Sequence, residues 1–359
     1  MSLGLEPQVT PADAAPVVDR PPAAGSWRHR HLLDVDVLSW ADTELVLRTT
    51  DAMREVLARP IAKVPALRGT NVTILFYEAS TRTRVSFEVA AKNLSADVVN
   101  IAAASSSVAK GESLIDTVKT VEALGARMLV MRHATSGAPY LAARHFGGHV
   151  LNGGDGWHAH PTQALLDLYT VREALERGGV AGASVPRDAR FLRGKKVVIL
   201  GDILHSRVAR SNIWTLTAAG ADLWLCGPAT LLRGFEAWAR GGVRRAAAGS
   251  LTVTSDVTAA LRDADVVMAL RIQRERMEGG LLPSLREYGA RYGLTNARLA
   301  GANPDVVVMH PGPMNEGVEI AADVASGPHS VITDQVTNGV AVRMALLYLL
   351  AGAGDPASG

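Results

Sequence analysis

Hydroxyls, guanidiniums and one imidazole recur where a predicted strand gives way to a helix, and their types suit anion binding and acyl transfer. The run Ser80, Thr81, Arg82, Thr83 and Arg84 lies between an apolar strand ending at Phe76 and a helix that carries Phe87. A helix N-terminus presents unpaired N–H groups and the positive end of its dipole. Adding hydroxyls and guanidiniums makes a phosphate cradle without a glycine loop. The plainer alternative for any short string of this kind is a Ser or Thr N-cap flanked by surface arginines.

Three further places carry the same kind of chemistry. Arg132 directly follows the predicted strand Met128 to Met131 and can reach the same anion. His160, Pro161, Thr162 and Gln163 set a histidine ahead of a proline-initiated helix, with a glutamine one turn inside. Such a histidine can donate to a carbonyl oxygen that becomes negative during acyl transfer; its plainer role is a capping or packed side chain. His158 lies two residues away, and two histidines at that spacing with no further ligand do not make a metal site. In the second half, Arg207 follows the strand Lys196 to Leu200, and Arg271 with Gln273 follows Val266 to Leu270. Two arginines after two strands can hold the two carboxylates of a diacid by bidentate pairing. Solvated surface arginines are the alternative, and some of the run Arg271, Arg274, Glu275 and Arg276 must be that.

The elements that would position these groups alternate between β-branched runs and amphipathic stretches of helix length. This is the pattern of parallel sheets with crossover helices, an α/β fold. In the first half the strands are Val72 to Phe76, Val98 to Ile101, Met128 to Met131 and His149 to Leu151. Phe87, Ala91 and Leu94 share one helical face, as do Leu114, Val118 and Val121, and a helix runs from Pro161 towards Gly178 and Gly179. Periodicity is lost from Gly178 to Arg193, the expected junction. A second set follows: Lys196 to Leu200, Leu223 to Cys226, Leu251 to Thr254, Val266 to Leu270 and Val306 to Met309. The expected organisation is an N-terminal mobile extension over 1–27, one domain over 28–175 and a second over 176–335. A last helix over 336–352 packs back on the first. Ligands in such sheets collect at the carboxyl ends of strands, which puts the site in the cleft between the domains.

Composition excludes several classes. A chain of 359 residues exceeds what one core usually serves, and with 48% hydrophobic and 20% charged residues it can bury enough to fold. Its 37 Lys and Arg nearly balance 35 Asp and Glu and are scattered, so no nucleic-acid footprint forms. The single cysteine, Cys226, rules out an intrachain disulfide framework and favours a reducing, cytoplasmic setting. No apolar run is long enough for a membrane span, and the Ala- and Pro-rich start lacks the apolar stretch of a signal peptide.

Five strings then occur in order: FYEASTRTRVSFE from Phe76, MRHATSGAP from Met131, HAHPTQALLD from His158, ALRIQRERM from Ala269 and MHPGPMNEGVEI from Met309. Together they resemble the catalytic chains of the aspartate/ornithine carbamoyltransferase family, from about His31 to Leu350. The resemblance implies two α/β domains, carbamoyl phosphate as donor, an amino acid as acceptor, and neither cofactor nor metal. By that resemblance Ser80, Thr81, Arg82 and Thr83 form the carbamoyl phosphate loop, Arg132 completes the anion site and Arg84 is structural. Arg82, Thr83, Arg132 and His160 are the catalytic set, with Thr83, Arg132 and His160 around the carbonyl oxygen. Gln163 and the backbone carbonyls at Pro311 and Gly312 hold the carbamoyl amine. Arg207, Arg271 and Gln273 match positions that bind the carboxylates of L-aspartate. Ser106 and Lys110 match residues lent to the neighbouring subunit's site, Lys110 towards aspartate, which implies a homo-oligomer, commonly a trimer. A regulatory chain or a dihydroorotase is a further partner that the resemblance allows.

Within the family, ornithine enzymes carry an HCLP string where this chain has His310, Pro311, Gly312 and Pro313, and they need an acidic partner for a side-chain amine. The arginines here favour a carboxylate. Two positions depart from the pattern: Ala109 stands where a second lysine often precedes Lys110, and Glu316 where many relatives have a basic residue. The competing readings are another amine acceptor such as ornithine, a catalytically inactive scaffold, and a nucleotide-dependent dehydrogenase. The last rests on Gly201 and Asp202 after a strand, with no GxGxxG following.

Overall fold

The computed structural model describes residues 27–102, 112–177, 190–242, 248–273 and 280–353. Ser106, Ala109, Lys110, Arg274, Glu275 and Arg276, nearly all of the N-terminal extension and most of the expected junction lie outside the described residues.

In the first half the elements are α1 (Trp40–Leu57), β1 (Asn71–Phe76), α2 (Thr81–Asn93), β2 (Asp97–Ala102), α3 (Leu114–Ala123), β3 (Met128–His133), α4 (Ala138–His145), β4 (His149–Asp155) and α5 (Pro161–Arg177). In the second they are β5 (Lys196–Leu200), α6 (Arg207–Ala218), β6 (Asp222–Cys226), α7 (Phe235–Ala237), β7 (Ser250–Thr254), α8 (Val257–Leu261), β8 (Val266–Ala269), α9 (Leu285–Tyr292), α10 (Asn296–Leu299), β9 (Val307–Met309), α11 (Ala322–Ala325) and α12 (Ile332–Gly352). Each strand read from the sequence is present within a few residues. Two differences matter. β3 continues to His133, so Arg132 sits within the last turn of pleat rather than after the strand, its side chain held at the sheet's carboxyl edge. The helix α1, hidden in a polar stretch, is started by a capping box in which Ser39 and Asp42 satisfy each other's backbone N–H groups.

Both sheets are wholly parallel, with strand orders β2-β1-β3-β4 and β7-β6-β5-β8-β9. Each order reverses once, between β1 and β3 in the first sheet and between β5 and β8 in the second. Loops leaving the carboxyl ends of such a pair diverge to opposite faces and leave a crevice between them. The segments that follow β1, end β3, follow β5 and follow β8 carry Ser80 to Thr83, Arg132, Arg207 and Arg271 respectively. Topology thus delivers the sequence's polar clusters to two crevices. The outer side of β4 is covered by the N-terminal segment, where the Leu32 N–H donates to Val150 O and Leu32 O accepts from Asn152, each at 2.9 Å.

The crevices face each other because α5, α6 and α12 tie the sheets together. Leu165 and Leu168 of α5, Ile213 and Leu216 of α6, and Leu346 and Leu350 of α12 belong to one continuous core that also takes Val72 and Ile74 from β1 and Val197 and Ile199 from β5. α12 packs against α1, α2 and α5. It begins at Ile332, four residues before the expected start, and its stretch from Ala341 to Leu347 is buried on every side, as suits a helix enclosed by others. Its Leu346, Leu347, Leu349 and Leu350 are fully buried, each contributing roughly 1.5–3 kcal/mol. No helix among the described residues is long and apolar enough to cross a membrane.

Candidate active site

The first turn of α2 is built unlike those of α3 and α9. Ser113 ahead of α3 and Ser284 ahead of α9 each accept a first-turn N–H, and each helix has an acid there, Asp116 or Glu287. Ser80 caps nothing with its side chain, and the first turn of α2 has no acid but carries Arg82 and Arg84. Cations at the positive end of a helix dipole are unfavourable unless an anion joins them. Thr83 is buried, Arg82 lines the cavity, and Arg84 is exposed and not part of the cavity lining.

That cavity, about 870 Å³, lies between the two crevices. Ser80, Thr81, Arg82, Thr83, Arg132, His160, Gln163, Arg207, Arg271, Gln273, Pro311 and Gly312 all line it. Its charged lining among the described residues is five arginines, Arg82, Arg132, Arg207, Arg271 and Arg343, against one carboxylate, Glu78. Glu78 joins the two sheets' arginines. It accepts from Arg132 at 2.6 Å and from Arg207 at 2.6 and 3.1 Å. Arg132 also donates to Gly153 O and Arg207 to Gly156 O, both at 3.2 Å. Gly154 lets them converge: a Cβ there would stand 2.9 Å from Arg207 Nε and 3.2 Å from Arg132 Nη1.

His160 immediately precedes α5, is buried, and donates its backbone N–H to Ser211 Oγ of α6 at 2.9 Å. Pro161 starts the helix, as its fixed φ and missing N–H favour. Gln163 donates from Nε2 to Asp167 Oδ1 at 2.9 Å. Arg271 donates to Gln273 Oε1 at 3.3 Å, and the Gln273 N–H is held by Asp202 at 3.1 Å. Asp202 also takes His205 Nδ1 at 2.8 Å, so the turn after β5 uses its carboxylate to set the loop after β8.

The loop after β9 closes the cavity from the second sheet's side. His310 accepts the Gly312 N–H on Nδ1 at 2.8 Å, which leaves its proton on Nε2, 3.3 Å from Glu319. The His310 N–H donates to Gln335 Oε1 at 2.9 Å. Gly312 has φ +65° and lies against Arg82, whose Cζ would be 3.0 Å from a Cβ built there. At the floor, Arg343 of α12 donates to Ser86 Oγ at 2.8 Å and lies over the Phe87 ring. Burial lowers its pKa to about 10, against the opposing pull of Asp167.

Residues 30–173 match the model of the aspartate/ornithine carbamoyltransferase carbamoyl-P binding domain, and residues 193–350 match that of the Asp/Orn binding domain. The chain belongs to the aspartate/ornithine carbamoyltransferase family. Within that family it is 57% identical over 325 residues to the aspartate carbamoyltransferase catalytic subunit of Roseiflexus sp. (strain RS-1), covering 90% of this chain and 96% of the relative. The corresponding subunit of Chloroflexus aurantiacus is 55% identical over 323 residues, covering 90% and 98%. The aspartate transcarbamoylase of Trypanosoma cruzi, solved in complex with carbamoyl phosphate and aspartate, superposes with a TM-score of 0.77 at 26% identity over 91% of this chain and 97% of that one.

Three charged groups at or behind the cavity stand outside the polar clusters that the sequence displays. Glu78 stands inside the FYEASTRTR string, and Arg343 interrupts an apolar helix, which was the available signal for each. Asp167 lies in HPTQALLD, one turn beyond Gln163, and is completely buried. Arg207 was expected to await a substrate carboxylate, and in this structure Glu78 holds it. His158 is outside the cavity and pairs with Asp155 at 3.1 Å. Glu316 is exposed, and nothing in the structure explains its departure from the family pattern. After β5, Gly201 packs on Leu270 O and Asp202 is committed to His205 and Gln273, so no phosphate-binding glycine loop forms there. Cys226 is buried, which pushes its thiol up to about 12 and makes it a core residue rather than a nucleophile.

Proposed function

We propose that this chain transfers the carbamoyl group of carbamoyl phosphate to the α-amine of L-aspartate, releasing N-carbamoyl-L-aspartate and phosphate, an early step of pyrimidine synthesis. The carrying observation is the charge of the cavity. Five arginines against Glu78 leave four positive charges among its described lining residues. A phosphate dianion beside a dicarboxylate whose amine is neutral supplies four negative ones. An ornithine side chain would bring an ammonium into the same field.

Carbamoyl phosphate binds first, its phosphate on the N–H groups and hydroxyls of Ser80, Thr81 and Thr83 with Arg82 and Arg132. Gln163 and the carbonyls at Pro311 and Gly312 accept from the carbamoyl amine. Aspartate follows, its carboxylates on Arg207, Arg271 and Gln273, and closure of the lobes brings the amine to the carbonyl carbon. The nitrogen lone pair forms the new C–N bond, and the carbonyl electrons move onto an oxygen met by Thr83, Arg132 and His160. The C–O bond to phosphate then breaks and phosphate leaves with the amine proton. Positioning and aligned donors can each supply several kcal/mol, so no covalent intermediate is required.

The same reading gives the chain a carbamoyl phosphate domain over 28–175, with α12 packed on it, an aspartate domain over 176–335 and an extension over 1–27. It makes the enzyme a cytoplasmic homotrimer in which Ser106 and Lys110 serve the neighbouring site. Phosphate release measured with L-aspartate and with L-ornithine tests the acceptor. Turnover with aspartate alone is expected, and turnover with ornithine alone would overturn the reading.

A further inference from the structure

Asp167 is fully buried behind the cavity wall and collects side-chain amides from three helices. Its Oδ1 accepts from Gln163 Nε2 of α5 at 2.9 Å and from Gln335 Nε2 of α12 at 2.8 Å, and its Oδ2 accepts from Asn212 Nδ2 of α6 at 2.8 Å. An ionised carboxylate only accepts, so each amide must turn its NH2 inward and its oxygen outward. For Gln163 that leaves Oε1 as the atom offered to the cavity it lines. For Gln335 the outward oxygen takes the His310 N–H at 2.9 Å and so anchors the loop that carries Pro311 and Gly312.

We infer that Asp167 is a positioning residue for donor specificity, fixing as acceptors both groups that meet the carbamoyl amine: the Gln163 amide oxygen directly and the Pro311–Gly312 carbonyls through Gln335. The inference rests on the reading of this cavity as a carbamoyl phosphate site. Two convergent acceptors reward a group with two N–H bonds and leave buried oxygens unpaired when a methyl takes its place. The site therefore selects a carbamoyl over an acetyl group by polarity, not by size. The charged group facing Asp167 is Arg343 of α12, and the other groups on it are the three neutral amides. Burial raises its pKa to about 6 while the amides and Arg343 oppose that, which keeps it an acceptor at neutral pH.

The test compares two stable phosphonates of equal shape, phosphonoacetamide with a terminal amide and acetonylphosphonate with a methyl, by calorimetry on the full chain. The unaltered protein is expected to prefer phosphonoacetamide. Asp167→Asn introduces a donor among the amides, and should cut that preference about 10-fold or more while acetonylphosphonate affinity stays within about twofold. A retained preference, or an equal loss for both ligands as a merely structural role would give, overturns the role of Asp167. An unaltered protein that binds both equally, or neither, overturns the reading of the cavity and this inference with it. If the variant does not fold, the preference of the unaltered protein is measured at pH 5 and pH 8. Protonating Asp167 makes it a donor, so the preference should fall at the lower pH, and a constant ratio overturns the inference.

Discussion

Glu78 grips Arg207 through two hydrogen bonds of 2.6 and 3.1 Å, and the same carboxylate holds Arg132 from the other sheet at 2.6 Å. One acid therefore occupies an arginine expected to take a substrate carboxylate, and it spans the two crevices. Substrate binding must compete with this contact or rearrange it. That makes Glu78 a link between the halves of the site and not simply a neutralising charge.

Glu78→Gln keeps the shape and removes the charge. Aspartate turnover per KM should fall about 10- to 100-fold, the scale of one or two charge-assisted hydrogen bonds. Phosphate affinity, read by calorimetry, should change as well, because the same carboxylate holds Arg132. An unchanged value for either ligand would mean that Glu78 does not link the two halves of the site.

On the proposed mechanism, His160→Ala removes a donor to the developing oxyanion and should lower turnover about 100-fold or more. Steady-state kinetics at saturating substrates provide the measurement, and an unchanged turnover number contradicts the role.

Arg271→Ala should raise the KM for aspartate and leave carbamoyl phosphate affinity near its starting value. If donor affinity alone falls, the two substrates have been assigned to the wrong sheets.

Gly312→Ala places a methyl 3.0 Å from the Arg82 guanidinium at a φ of +65°. The left-handed conformation costs about 1–2 kcal/mol for a residue with a side chain, and the guanidinium must also move. Weaker donor binding is expected, seen as a raised KM for carbamoyl phosphate, with the melting temperature lowered only slightly.

His158 should make stability depend on pH without touching catalysis. Its hydrogen bond to Asp155 raises its pKa above the ordinary 6.5, against partial desolvation. The folded state therefore binds the proton more tightly than the unfolded one, and this stabilisation is complete below pH 6.5 and lost as pH rises through the folded value. His158→Gln should lower the denaturation midpoint at pH 5.5 and have a smaller effect at pH 9. The reverse order would refute the pairing.

Much of the scaffold was legible because it is local. Strands such as Lys196–Leu200 announce themselves by β-branched residues, and α5 by Pro161 at its first position. Ser80 to Thr83, Arg132, His160, Gln163 and Arg271 could be singled out because each lies at a strand-to-helix transition, where parallel sheets expose polar groups. Pairings across the chain were not legible. Glu78 meets Arg207 from 129 residues away, and Asp167 meets Gln335 from 168. No periodicity encodes such partners; they exist only once the two sheets are docked. α1 was missed for a different reason: its polar composition hides the face that packs on α12.

The contact between Arg343 and Ser86 spans 257 residues, so the floor beneath the first turn of α2 is laid by a helix made long after that turn. During synthesis the first sheet can form while the cavity still lacks this base. On the proposed reading, a complete ligand cavity therefore awaits the docking of α12. Donor in the surrounding solution can hold molecules with α12 docked folded by mass action, whereas chains cut short before α12 gain nothing from it.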